Sequence, residues 1–411
     1  MKDFLSLIPP QEALEKFLTH LQTTPVAEEI QTEQGLGRVT AGAVHATLDL
    51  PGFDRSAMDG YALIASDTYG SSDTLPNYLK IKGEVAMGQA PTFSIEKGSA
   101  GLIHTGGMLP DGADAVIMLE HTQQLQNGEV EIHRAVAPGE NIIRRGEDVH
   151  QGDQVIPGGI RVRPAEIGGM LALGITHFAA VRQPHVAVIS TGDEIVPPGS
   201  TLKPGQVYDV NSYTISALIS QFGGIPKRYG IVPDQANTLY FKASQALEDC
   251  DSVGIVAGSS ASVRDLTADV INRLGSPGVL VHGINLRPGK PTILGICDKK
   301  PVIGLPGNPV SAMVVANLFL QPLLERMLGL KPKPYSPNIL ATITTNVTSQ
   351  AGREDWIPVI IHGENNQYTA EPIFFKSNLI FTLARADGIV RIPLDATGLP
   401  AGETVQVEIL R

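Results

Sequence analysis

Val302-Ile303-Gly304-Leu305-Pro306-Gly307-Asn308-Pro309-Val310-Ser311-Ala312 reads as a buried strand that turns sharply into a helix. Pro309 suits the first helical position, where a missing N–H costs nothing, and Asn308 suits the cap before it. A helix start carries unsatisfied N–H groups and the positive end of a dipole, and Ser311 adds a hydroxyl, so an anion fits here. The same pattern also fits a well-made turn and nothing more. Upstream, Arg287-Pro288-Gly289-Lys290-Pro291 puts two cations in a rigid loop, and the two segments together suggest an oxyanion or phosphate site.

The surrounding rhythm sets the fold class. Apolar runs at 185–189, 252–257, 279–281, 292–294 and 302–304 alternate with helical patterns at 212–222, 235–247, 266–274 and 309–327. Strands interleaved with helices imply a mainly parallel sheet covered on both faces, with ligands beyond the carboxyl ends of its strands. The loops at 190–194, 232–234, 258–265 and 306–309 fall there. Asp193, Glu194, Asp234 and Asp265 are expected to meet at this rim and to bind Mg²⁺ shared with a phosphate. Each of them alone equally fits a helix cap or a turn.

A chain of 411 residues exceeds one ordinary core and implies two to four domains. The net charge of −11 disfavours bulk attraction to nucleic acid or anionic membrane, so an anionic ligand needs a local basic cluster. Residues 11–22 carry Ala13, Leu14, Phe17, Leu18 and Leu21 at helical spacing. Between about 46 and 139, β-prone runs at 78–81, 101–104, 115–118 and 130–133 alternate with turn residues and read as a compact, mostly β insertion. Proline density at 331–337 marks a linker, and runs at 341–345, 356–361, 388–392 and 404–410 suggest a small closing β domain. Cys250 and Cys297 form neither a CxxC motif nor a disulfide framework and read as core residues of a reducing compartment. No secretory signal pattern opens the chain and no run approaches the ~20 apolar residues of a membrane span, so a soluble cytoplasmic protein is expected.

Walker A, GxGxxG, HExxH and GxSxG patterns are absent, which lowers nicotinamide, P-loop and zinc-protease chemistries. The ten His show no ligand spacing, and His104 and His282 read as core or hydrogen-bonding residues. A second island, Pro51-Gly52-Phe53-Asp54-Arg55-Ser56-Ala57-Met58-Asp59-Gly60-Tyr61-Ala62, suggests a tight Asp-Gly turn with Arg55 and Asp59 as a polar pair. Thr105-Gly106-Gly107 and Arg144-Arg145-Gly146-Glu147-Asp148 are further polar loop ends that face a ligand or solvent.

SAMDGYA at 56–62, HTGGMLPDGADAV at 104–116, RRGEDV at 144–149, STGDE at 190–194, YDVNSY at 208–213, RPGKP at 287–291 and GLPGNPVSA at 304–312 together resemble the molybdopterin molybdenumtransferase family, of the MoeA and gephyrin E-domain type. The resemblance implies a multidomain α/β plus β chain. Its parts would be an elongated domain (1–45 and 140–178), an inserted, mainly β domain (46–139), a three-layer α/β molybdopterin-binding domain (179–328) and a C-terminal β-barrel (329–411). The family's activity implies insertion of molybdenum from molybdate into adenylyl-molybdopterin, with Mg²⁺-dependent release of AMP. It also implies a homodimer whose cleft is shared between subunits, and contact with the molybdopterin adenylyltransferase and recipient molybdoenzymes.

By the same resemblance, Asp59, Thr105, Asp148, Glu194 and Asp234 are catalytic candidates, with Asp59 and Thr105 approaching the partner's cleft. Molybdate would meet Arg287, Ser311, Arg353 and Ser377. Ser259, Ser260, Ser262, Arg264, Lys290, Gly307 and Asn308 complete the substrate-binding set. The family's SGGVSVGDYD loop stands here as Gly258-Ser259-Ser260-Ala261-Ser262-Val263-Arg264-Asp265-Leu266-Thr267, so Asp265 or Asp269 would join Glu194 as the Mg²⁺ ligand. Gly283 stands where an outer lysine is usual and Arg287 replaces the inner one, a change that is not conservative at an oxyanion site. The altered loop also fits a non-catalytic paralogue that carries or senses molybdopterin or molybdate.

Overall fold

The strand and turn read from residues 302–312 are both present. Lys300–Pro306 runs through the middle of a six-stranded sheet, and the chain turns at Gly307-Asn308 into the Pro309–Val315 helix. The computed structural model describes residues 7–258, 261–331, 338–364 and 367–410, with backbone only at 261–264 and 364. Within that range the sheet order is Ile225–Val232, His185–Thr191, Ser252–Ala257, Lys300–Pro306, Ile293–Cys297, Pro277–His282. The first four strands are mutually parallel and Ile293–Cys297 runs against both of its neighbours.

Strand alternation sends successive side chains into two cores. Val186, Val188, Val256, Ile303 and Leu305 pack on one face with Ile215 and Ile219 of the Asn211–Phe222 helix and with Phe319 and Leu323. Ala187, Ile189, Val253, Ile255 and Val302 pack on the other with Leu239, Val270 and Ile271, from the helices Ala236–Asp249 and Ala261–Leu274. The result is the expected three-layer arrangement. The Ile225–Val232 strand was not among the apolar runs. Its Lys227 and Arg228 suit a sheet edge that faces solvent.

The N-terminal helix, Pro10–Thr19, reaches over to the α/β sheet. It buries Ala13 and Phe17 in the core of the α/β sheet, and Ile8 bridges to Ile284, so this helix packs with the α/β unit. The helix expected at 309–327 is interrupted by a π turn at Ala316–Leu320 before Gln321–Met327. Pro322 has no N–H for the preceding turn, which accounts for the break.

The insertion forms a second six-stranded sheet, ordered Ala115–Met118, Gly60–Leu63, Ser99–Ile103, Asn77–Val85, Glu129–Ile132, Thr122–Gln124, around Tyr61, Leu63, Ile117 and Ile132. Its flanks are tied by short antiparallel pairs, Ala27–Gln31 with His177–Val181 and Val44–His45 with Gln154–Ile156. The C-terminal strands Asn338–Ile343, Glu354–Glu364, Gln367–Pro372, Gly388–Ile392 and Thr404–Ile409 close into a barrel, because Glu354–Glu364 pairs with both Gln367–Pro372 and Gly388–Ile392. The linker expected at 331–337 lies, from 332 onward, outside the described residues. Among the described residues no helix is long and apolar enough to cross a membrane.

Candidate active site

Gly307 brings two strand ends together. A Cβ there would stand 2.8 Å from the Ala257 carbonyl oxygen, so only glycine allows this turn to lie against the end of Ser252–Ala257. The Gly307 carbonyl accepts a hydrogen bond from Asn211 Nδ2 at 2.7 Å. Asn308 occupies the cap position before Pro309, as expected, but its side chain does not cap the helix. Its Nδ2 donates instead to Ser377 Oγ at 2.9 Å, while the Val310 N–H donates to the Ser377 carbonyl at 3.1 Å. The loop after the Gln367–Pro372 strand is thus tied to the helix start, beside buried Ser311.

The basic loop arrives at the same place from another direction. Gly289 has a φ of +127°, and a Cβ on it would lie 2.7 Å from Val315 Cγ2, so the loop rests on the Pro309–Val315 helix. Leu286–Arg287 adds a parallel rung to the barrel, with Arg287 opposite Asp355. Arg353 reaches the Asp355 carboxylate with Nε at 2.7 Å and Nη2 at 2.9 Å, and Arg287 Nη1 lies 3.5 Å from it. Trp356 packs against the cluster formed by Val310, Val314, Leu383 and Ile389, which joins this group to the helix that carries Ser311. Arg287, Ser311, Arg353 and Ser377 are therefore drawn from distant segments onto one seam between sheet and barrel. Lys290 is exposed at its edge.

At the carboxyl rim of the sheet, Thr191 Oγ1 donates to Asp234 Oδ1 at 2.6 Å, and the Asp234 N–H lies 3.4 Å from Asp193 Oδ1. Glu194 and Asp265 are exposed. The acidic residues share the rim, yet among the described residues no group of three His, Cys, Asp or Glu side chains could hold a metal ion. Asp269 sits about 12 Å along the helix axis from Ala261 and lies 3.8 Å from Arg273, which leaves Asp265 as that helix's acidic candidate near its start. Exposed carboxylates of this kind still fit Mg²⁺, which keeps several waters and is commonly held by one or two carboxylates plus substrate phosphates. Ser259 and Ser260 lie outside the described residues, as do the side chains of Ser262 and Arg264.

In the inserted unit, Asp59 Oδ1 accepts the Thr105 N–H at 2.8 Å. His104 lies between two carboxylates, with Nε2 2.7 Å from Glu84 and Nδ1 3.7 Å from Asp59, so Asp59 pairs with this group and not with Arg55. Gly60 begins a strand, and a Cβ there would collide with the Ile117 carbonyl oxygen at 1.9 Å. The Arg144-Arg145 loop is bound to the same island. The Arg145 N–H donates to Asp54 at 2.8 Å and Arg144 Nη1 at 2.7 Å, which together hold the Asp54 carboxyl below its ordinary value against the opposing effect of burial. Asp148 remains exposed, with its N–H on the Leu50 carbonyl.

The same order of strands, loops and barrel recurs in known proteins. Molybdopterin molybdenumtransferase 2 of Mycobacterium tuberculosis is 34% identical over 401 residues, covering 93% of this chain and 94% of that protein. The chain belongs to the molybdopterin molybdenumtransferase family. The Haemophilus influenzae molybdopterin molybdenumtransferase is 31% identical over 399 residues, covering 97% of both chains. Three family regions match in order: the MoeA N-terminal region (domain I and II) at 8–174, the probable molybdopterin binding domain at 187–326, and the MoeA C-terminal region (domain IV) at 341–410. The crystal structure of a molybdopterin biosynthesis MoeA protein from Pyrococcus horikosii superposes with a TM-score of 0.83 at 38% identity, covering 99% of this chain and 100% of that one.

Three residues of this family member hold positions to which the sequence reading assigned no role, although Asp209 and Asn211 lie in the YDVNSY motif. Asp355 is fully buried between arginines. Asp209, also buried, accepts from Ser190 Oγ at 3.0 Å, from the Ser212 N–H at 3.0 Å and from Ser212 Oγ at 2.6 Å. Asn211 holds Gly307. The available signal was a pair of carboxylates, Glu354-Asp355, inside an otherwise barrel-forming run.

Proposed function

We propose that this chain is an enzyme of molybdenum cofactor biosynthesis that inserts molybdenum from molybdate into adenylyl-molybdopterin and releases AMP. One observation carries the reading: Arg287 and Arg353 meet on Asp355, on the seam between sheet and barrel where Asn308 also reaches Ser377. Molybdate is a tetrahedral dianion. The N–H groups of the two arginines and the hydroxyls of Ser311 and Ser377 suit its oxygens, since charge-assisted hydrogen bonds are short and strong. Gly307, Asn308, Lys290 and the 259–264 loop would take the substrate's phosphates, with glycine letting the backbone approach.

Asp148, Glu194 and Asp234 would line the cleft in which the link between the two phosphates breaks. Mg²⁺ held by Glu194 and Asp265 would offset the charge that develops there. Asp59 and Thr105 would complete the cleft of a second protomer, making the working unit a homodimer. The division at 1–45 with 140–178, 46–139, 179–328 and 329–411 belongs to the same proposal.

The test is incubation of the purified protein with adenylyl-molybdopterin, Mg²⁺ and molybdate, following AMP release and molybdenum bound to the pterin. Molybdate-dependent AMP release is expected. Tight binding of molybdate and pterin without AMP release would replace this reading by that of a carrier or sensor built on the same fold.

A further inference from the structure

Asp355 is 0% exposed, and among the described residues the partners of its carboxylate are cations. A buried carboxylate is expensive to desolvate, and well-packed apolar residues often serve stability as well or better, so its presence calls for a reason other than packing. The barrel's buried apolar cluster includes Ala341, Ile343, Val359, Ala370, Val390 and Val407.

The local geometry supplies that reason. Arg353 and Asp355 are two residues apart, so strand alternation turns them to one face, and the parallel rung sets Arg287 directly opposite Asp355. The Asp355 carboxylate takes one edge of the Arg353 fork, Nε and Nη2. Arg353 Nη1 has no partner among the described residues, and neither do Nε and Nη2 of Arg287, whose side chain is 57% exposed. A guanidinium is planar, so fixing one edge fixes the direction of the remaining N–H groups. Two guanidiniums and one carboxylate leave the group at a net charge of +1.

We propose that Asp355 is a positioning residue for the oxyanion: it locks Arg287 and Arg353 into one donor array across the seam and lowers that array's charge. Selectivity for a tetrahedral dianion then comes from the directions of the N–H groups more than from attraction to any small anion. This inference rests on Arg287 and Arg353 being molybdate donors. Without the Asp355 charge the two arginines repel each other and lose their common anchor. They would still attract anions, but with less discrimination.

The test is Asp355→Asn in the full-length protein, with the molybdate dependence of AMP release and calorimetric titration of molybdate and of nitrate, a planar monoanion. The expected result is a KM for molybdate raised at least about tenfold with kcat changed less than about threefold, and a fall in molybdate-over-nitrate preference. A structural role alone would lower the melting temperature or the active fraction, reducing apparent kcat at constant KM. Unchanged KM and selectivity in folded Asp355→Asn would overturn the proposal. If that variant does not fold, Asp355→Glu keeps the charge but displaces both forks. It should also raise KM, and an unchanged value would again overturn the proposal. Wild-type protein that binds no molybdate at all would instead remove the reading on which this one rests.

Discussion

Gly307 shows how one missing side chain can hold a site together. The atoms nearest its would-be Cβ, the Ala257 carbonyl oxygen and Gly258 Cα at 3.1 Å, are backbone and cannot swing aside. Gly307→Val should therefore destabilise the protein by about 2–3 kcal/mol and separate the Asn308–Ser377 tie from the sheet end. Thermal unfolding checks this, and a melting temperature equal to the wild type's would contradict it. Asn308 teaches the complementary lesson. Its cap position was legible from Pro309 next to it, but its hydrogen bond goes to a residue 69 positions away, which no local pattern encodes.

Among the elements, the Pro164–Ala172 helix has the clearest start. Glu166 Oε2 accepts the Arg163 N–H at 2.8 Å, and the Arg163 guanidinium holds the same carboxylate, taking its pKa from an ordinary 4.5 down to about 2. A carboxyl whose folded value is depressed stabilises the fold above its unfolded value and loses that contribution as pH falls through the folded one. Glu166→Gln should thus cost about 1 kcal/mol near neutral pH. The difference from wild type should shrink as pH falls from 4.5 toward about 2, which denaturant titrations at several pH values would reveal. The Ile225–Val232 strand escaped notice for a different reason. It lies at the sheet edge, where Lys227 pairs with Asp249 in solvent, so its apolar signal is diluted.

For the whole molecule, the decisive feature is the seam where the Leu286–Arg287 rung, the Glu354 N–H on the Asn285 carbonyl and the Asn308–Ser377 bond join sheet to barrel. Asp59 lies in the inserted unit, with its partners His104 and Thr105. If each cleft takes Asp59 from the other protomer, Asp59→Asn and Arg287→Ala homodimers should both be inactive. Random mixing should restore about a quarter of wild-type turnover, because half the dimers are mixed and each has one intact site of two. The readout is AMP release after subunit exchange, and no recovery would mean that the cleft is built within one chain.

Periodicity and turn chemistry in the sequence determined the alternation of strands and helices, the strand-to-helix turn at 306–309, the β insertion and the closing β unit. These are local properties, written within a few residues by side-chain spacing and by Gly and Pro. Seven motifs in order carried the family as well. Only the tertiary structure decided that Arg287 and Arg353 share Asp355, that Ser377 sits on the Pro309 helix start, that the first helix packs on the α/β sheet, and that Thr191 holds Asp234 at the rim. Those outcomes depend on contacts between residues tens to hundreds of positions apart. Burial and strand register set such contacts, and neither can be read from spacing alone.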